Sequence, residues 1–210
     1  MAKSSISSSQ SVSIIVFVAV LSGLILGMIA KLADESGIPG IGMIGSHFGF
    51  WIVCVTAIAI WSSAWWHAIA FATSFLLMMT VAYYATQMVL FGYFSPRLFL
   101  GWAAIALVLT PPFAALTFHA RGVGWLASLG AALPIGLLLQ EAYGLKYRLT
   151  NNVDYQLLFL FDTICAMSLI LVLAKNSLQR VRVIVLALIV LIITDIGFNR
   201  ILPLFLGALQ

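Results

Sequence analysis

Charged residues are scarce in this sequence. Only 8% of its 210 residues are Asp, Glu, Lys or Arg, and 63% are hydrophobic, whereas soluble domains carry about a quarter charged residues. This composition excludes an ordinary soluble fold. The apolar runs are continuous and about as long as a bilayer requires, and they lack the alternation of a membrane β-barrel. We therefore predict an all-α, polytopic transmembrane helix bundle.

Catalytic and metal-binding signatures are also missing. The sequence contains no nucleotide-binding loop, no HExxH motif and no GxSxG motif. Cys54 and Cys165 both lie in apolar runs, where a small buried hydrophobic residue is the simplest interpretation. We expect no enzymatic activity, no cofactor and no metal. The net charge of +4 comes from basic residues dispersed at segment ends, which does not indicate a nucleic-acid partner.

Seven apolar segments are predicted to span the membrane, roughly 12–32, 48–64, 67–91, 98–119, 123–143, 155–174 and 183–203. They form one transmembrane domain over residues 12–210, after a polar, Ser-rich N-terminal tail at 1–11. The loop at 36–47 is Gly-rich and apolar, and either connects two spans or re-enters the membrane.

Orientation depends on where the basic residues lie. Lys and Arg divide evenly between the two sides, with Lys31 counted as a flanking charge at the end of the first span. The basic stretch "KNSLQRVR" at 175–182 contains no acid and favours a cytoplasmic N-terminus.

Prolines fall in the middle of two neighbouring spans. Pro111 and Pro112 interrupt the fourth span and Pro134 the fifth. Proline has no backbone N–H and its ring clashes with the preceding turn, so we predict a break in both helices. Discontinuous helices expose backbone groups at membrane depth, which transporters use to build sites. Kinks without such a role are the alternative.

Two acids lie inside apolar spans. Asp162 is in the sixth span and Asp195 in the seventh, where a carboxylate costs roughly 2.5–3.5 kcal/mol. A short loop joins these two spans, so they should run antiparallel and place the two carboxylates at equal depth in the membrane. Glu141 ends the fifth span on the same side, and Asn199 follows Asp195 by one helical turn. We predict that these four residues form a substrate- or ion-binding site, with structural polar contacts as the alternative.

Two further features concern the first and third spans. Thr73, Thr80 and Gln87 recur at heptad spacing, with Tyr84 on the same face. We add Gln87 and Tyr84 to the predicted site, although helix–helix hydrogen bonding explains the stripe equally well. Gly23 and Gly27 form a small-xxx-small face, which favours close packing within the bundle or with a partner subunit. The 175–182 loop is a second candidate surface for such a partner.

Four stretches resemble a family of bacterial multi-pass membrane proteins that is known only as a domain of unknown function. They are "GLILGMIAKLADESG", "GFWI", "VAYYA" and "ARGVGWLASLGAALPIGLLLQEAYG", and the resemblance covers roughly residues 22–174. It implies the bacterial inner membrane and no particular activity. In size and hydropathy the chain is also similar to the substrate-binding subunits of energy-coupling-factor importers, a likeness of architecture alone.

These features lead to three functional hypotheses. The first is a small-solute transporter, or a substrate-capturing transport subunit, with an acidic intramembrane site that takes a polar or cationic solute. The second is a non-catalytic membrane scaffold or sensor subunit that binds a partner protein. The third is an intramembrane lipid-modifying enzyme.

Overall fold

The computed structural model describes residues 4–149 and 152–197, and these residues form helices and short connections without any strand. The predicted all-α bundle is therefore confirmed. The helices are α1 (Ser4–Asp34), α2 (Ile41–Ser46), α3 (Phe48–Trp61), α4 (Trp65–Phe91), α5 (Pro96–Ala104), α6 (Thr110–Phe118), α7 (Trp125–Leu145), α8 (Val153–Leu173) and α9 (Ser177–Ile196).

Among the residues that the structure describes, six segments are long and apolar enough to cross a bilayer, so the chain is a multi-pass membrane protein. They are Ser13–Asp34, Trp65–Phe91, Pro96–Arg121, Trp125–Leu145, Val153–Leu173 and Ser177–Ile196. The predicted second span corresponds to α3, which has 14 residues. At 1.5 Å per residue it covers about 21 Å, less than the roughly 30 Å of the hydrocarbon core.

The chain divides into two compact units. The first contains the described residues of Met1–His47 and Cys54–Phe118, and the second those of Phe48–Val53 and His119–Gln210.

Parallel packing of α1 against α4 organises the first unit. A Cβ atom at Gly23 would overlap the carbonyl oxygen of Phe75, and one at Gly27 would overlap that of Met79. The small face predicted from the sequence therefore packs within the chain. Because both residue numbers rise together along the contact, α1 and α4 end at the same side of the unit, and the chain must cross back between them.

The loop predicted at 36–47 folds back beside the end of α1. Its helix α2 packs there, with the Cβ position of Gly45 only 2.9 Å from the Cα atom of Ala30. The N-terminal stretch predicted as a polar tail is helical from Ser4 onward, and the apolar span begins at Ser13.

The two predicted proline breaks differ. Before Pro111 and Pro112, residues Ile105–Leu109 form a π-helical turn, in which the Thr110 amide donates to the Ile105 carbonyl. The widened turn relieves the clash between the two proline rings and the preceding carbonyls. The break predicted at Pro134 is wrong, because α7 continues past this residue. There the proline removes one backbone hydrogen bond without ending the helix.

In the second unit, α7 packs against both α8 and α9. A Cβ atom at Gly136 would lie 2.7 Å from the carbonyl oxygen of Ala187, so this glycine lets α9 approach α7 closely. The predicted 175–182 loop is much shorter in the structure. Asn176 accepts a hydrogen bond from the Gln179 amide and caps α9, which begins at Ser177.

Candidate functional site

The end of α1 in the first unit contains a buried lysine. Lys31 is only 2% exposed, although it lies within the first membrane span. Its Nζ atom donates to Glu35 Oε1 at 2.5 Å, to the Tyr93 hydroxyl at 2.8 Å and to Asp34 Oδ2 at 3.5 Å. An ammonium has three N–H donors, so all three are bonded.

The two carboxylates are fixed by hydroxyl groups from other elements. The Tyr83 hydroxyl of α4 donates to Asp34 Oδ2 at 2.6 Å, and the Ser46 hydroxyl of α2 donates to Asp34 Oδ1 at 3.2 Å. The Tyr93 hydroxyl donates to Glu35 Oε1 at 2.6 Å. The network therefore ties α1 to α2, to α4 and to the segment that follows α4.

Aromatic rings complete the surroundings of the ammonium. The Lys31 Nζ atom lies 5.1 Å from the ring centroid of Tyr93, 5.2 Å from that of Tyr83 and 5.6 Å from that of Phe91. The distances to Tyr83 and Phe91 are within the roughly 6 Å over which a cation is attracted to an aromatic ring, whereas Tyr93 contacts the ammonium through its hydroxyl. We call Lys31, Asp34, Glu35, Tyr83, Phe91 and Tyr93 the Lys31 cluster.

The charges of the Lys31 cluster do not balance. One ammonium faces two carboxylates, which leaves one formal negative charge in excess. The Asp34 and Glu35 side chains are 28% and 33% exposed, so the negative side of the cluster is open while its cation is enclosed. Within the described part of the chain, every hydrogen bond to Glu35 goes to Oε1.

These contacts lower the pKa of Glu35 below its usual value of 4.5. The main cause is the hydrogen bond from the Lys31 ammonium, followed by the one from the Tyr93 hydroxyl. A carboxyl group whose folded pKa is lowered stabilises the fold above its unfolded pKa, and that contribution is lost as the pH falls through the folded value.

We therefore expect the stabilising effect of Glu35 to depend on pH. Glu35→Gln should unfold at a lower temperature than wild type near neutral pH, because the amide carries no charge for Lys31. The difference should shrink as the pH falls below about 4.5 and Glu35 becomes protonated. Thermal unfolding of both proteins in detergent across this range measures it. A difference that stays constant with pH would contradict the ionic role.

The structure places the predicted acids in the second unit. Asp162 is fully buried in the interior of α8, and Asp195 is partly exposed near the end of α9. Asp162 precedes Leu173, the last residue of α8, by 11 positions, whereas Asp195 follows Ser177 by 18. Measured from their shared connection, the two depths differ by about 10 Å at 1.5 Å per residue. The prediction that Asp162 and Asp195 lie at equal depth is therefore wrong. It assumed that the last helix begins at residue 183, whereas α9 begins at Ser177.

The other predicted site residues belong to both units. Glu141 is half-buried near the end of α7, and Asn199 lies outside the described residues. In the first unit, Gln87 is buried, and Tyr84 is buried with its ring edge-on to Phe94 and Phe99. Thr80 donates to the Leu76 carbonyl of its own helix, so this hydroxyl makes a bond within α4 and not one between helices. The described residues contain no group of three His, Cys, Asp or Glu side chains able to hold a metal ion.

The Lys31 cluster was missed from the sequence, although part of its signal is present. Lys31, Asp34 and Glu35 have the i, i+3 and i, i+4 spacing that places side chains on one helix face. The sequence alone favours a flanking charge at Lys31, because this residue ends an apolar run. Nothing local indicates that Tyr83 and Tyr93, about 50 and 60 residues away, surround it.

Comparison with known proteins identifies one relationship. The family described as "Family of unknown function (DUF6518)" matches residues 6–205, which confirms the resemblance to an uncharacterised family. No curated protein and no solved structure is significantly similar to the chain. Because the match covers nearly the whole sequence, the chain belongs to the DUF6518 family.

Proposed function

We propose that the chain is a small-solute transporter, or the substrate-capturing subunit of a transport system, that binds a cationic solute at the Lys31 cluster. The observation that carries the proposal is the set of groups around the Lys31 ammonium: two carboxylates, the Tyr93 phenol oxygen and the rings of Tyr83 and Phe91. Carboxylates and aromatic faces are the groups that recognise an ammonium ligand.

The charge and exposure of the cluster favour a second cation. Its excess negative charge attracts one, and the open sides of Asp34 and Glu35 provide the approach. In this proposal Lys31 is a tethered cation that occupies the enclosed position while no solute is bound. An incoming ammonium binds first at Glu35 Oε2, where it weakens the hold of Glu35 on Lys31.

Orientation fits capture from outside the cell. We place the protein in the bacterial cytoplasmic membrane with its N-terminus in the cytoplasm. The cluster lies at the far end of the first span, Ser13–Asp34, and would therefore face the periplasmic side.

Two features at membrane depth support transport beyond capture. The π-helical turn Ile105–Leu109 precedes Pro111 and Pro112 in the first unit, and transporters build passage sites from such interrupted helices. In the second unit, Asp162 is a carboxyl group buried inside a span, and ionisable residues there usually serve ion or proton movement.

A second candidate function is a non-catalytic scaffold or sensor subunit. The observation that favours it is the complete bonding of the Lys31 ammonium, which is also what a structural latch between α1 and α4 requires. A latch needs no solute, so binding measurements separate the two functions.

Methylammonium is the smallest probe of the proposed site. We expect purified wild-type protein in detergent to bind radiolabelled methylammonium, and proteoliposomes that contain it to accumulate the label. Glu35→Gln should weaken binding at least about tenfold, equivalent to about 1.4 kcal/mol, because it removes the charge nearest the open side of the cluster.

Asp154→Asn is the matched control. It removes the same charge from the first turn of α8, in the other unit, and should leave methylammonium binding unchanged. Wild-type protein that binds no methylammonium, or Glu35→Gln protein that binds it as well as wild type, would contradict the proposed site and favour the structural latch.

A further inference from the structure

Four basic residues gather at one end of the second unit, and the proposed transport function leaves them unused. They are Arg121, Lys175, Arg180 and Arg182. The Gln179 side chain is buried and donates to the Gly122 carbonyl at 3.4 Å, which brings the start of α9 against the turn before α7. The stretches 119–128 and 174–182 that form this end contain no Asp or Glu.

An exposed tryptophan lies among these cations. Trp125 begins α7 and is 65% exposed, and the Arg182 guanidinium lies 4.6 Å from its ring centroid. Tryptophan at the start of a span prefers the headgroup region of a bilayer. Leu178 and Val181 are also exposed on the first turns of α9, so apolar surface borders the basic side chains directly.

We propose that this end of the second unit binds the headgroup of an anionic phospholipid. The basic side chains contact the phosphate, for which the planar guanidinium groups of Arg180 and Arg182 are well suited. Trp125 lies at the level of the glycerol backbone, and Leu178 and Val181 contact the first methylenes of the acyl chains. We call this surface the basic end.

The mixture of surfaces favours a lipid over a soluble anion or a nucleic acid. A nucleic-acid surface is a continuous basic stripe, whereas here the cations lie beside exposed apolar side chains at the end of two spans. With the N-terminus in the cytoplasm, the basic end faces the cytoplasmic leaflet, whose anionic lipids attract basic residues close to the membrane. The inference needs neither methylammonium binding nor transport.

Binding of fluorescent phosphatidylglycerol and phosphatidylcholine to the purified full-length chain in detergent tests the proposal. We expect phosphatidylglycerol to bind at least about tenfold more tightly than phosphatidylcholine, with an affinity that falls as salt is added. Lys175→Gln/Arg180→Gln should reduce the preference at least about fivefold. Both side chains are exposed, so this variant should fold like wild type, which its thermal unfolding midpoint checks.

Arg97→Gln/Arg148→Gln is the control with the same loss of charge. Both arginines are exposed and lie outside the basic end, and the variant should keep the full lipid preference. Equal binding of the two lipids, or equal losses in the two variants, would overturn the proposal. Competition by millimolar inorganic phosphate would also overturn it in favour of a soluble anion. The proposal would also be overturned if a protein, and not lipid, copurified with wild type and with Arg97→Gln/Arg148→Gln but not with Lys175→Gln/Arg180→Gln.

Discussion

Leucine at position 27 should separate α1 from α4 and destabilise the first unit by about 3 kcal/mol, the upper end of typical overpacking costs. A side chain at Gly27 meets the backbone carbonyl of Met79 and the Cβ atom of Ala82. Backbone cannot move aside as a flexible side chain can, so the two helices must part. The same separation removes Tyr83 from Asp34, so the Lys31 cluster should be lost along with the packing.

Thermal unfolding in detergent measures this effect, and the yield of monodisperse protein provides a second readout. Gly101→Leu is the control, because Gly101 lies in α5 with open space where its Cβ atom would be. It makes the same chemical change and gains the same helix propensity, about 1 kcal/mol. If Gly27→Leu unfolds at the same temperature as Gly101→Leu, the close approach of α1 and α4 does not stabilise the protein.

The helices could be predicted because their cause is local. A bilayer demands long apolar segments with internally bonded backbone, and this demand leaves a pattern in each segment separately. The end of a helix depends on finer detail. The cap that Asn176 provides for α9 adds six residues to the start predicted at 183, and this change alone removes the equal depth of Asp162 and Asp195.

The candidate site was harder to predict because its members come from distant parts of the chain. Lys31 appears in the sequence as a charge at the end of a span, and Tyr83 and Tyr93 appear as ordinary residues of the next long span and its loop. Their association follows from the parallel packing of α1 and α4, which depends on Gly23 and Gly27. The glycine face could be identified from the sequence, but the helix that covers it could not.

Neutralising both carboxylates of the Lys31 cluster should destabilise the protein more than removing the lysine with them. Asp34→Asn/Glu35→Gln leaves the ammonium almost fully enclosed, with no compensating charge among its bonded partners. The uncompensated charge of Lys31 should lower the free energy of unfolding by at least about 2 kcal/mol, because a buried charge without its counterion is strongly destabilising. Adding Lys31→Met should restore stability to within about 1 kcal/mol of wild type, since methionine fills a similar volume among the three rings.

The double and triple variants also separate folding from solute binding. The triple variant, Lys31→Met/Asp34→Asn/Glu35→Gln, should unfold near the wild-type temperature and yet bind no methylammonium, because it lacks the carboxylates that attract the cation. Thermal unfolding and radiolabel binding on one preparation measure both properties. A double variant as stable as wild type would show that the carboxylates do not compensate Lys31. If the triple variant is as unstable as the double, the hydrogen bonds of Tyr83 and Tyr93 matter more to the fold than the charge they surround.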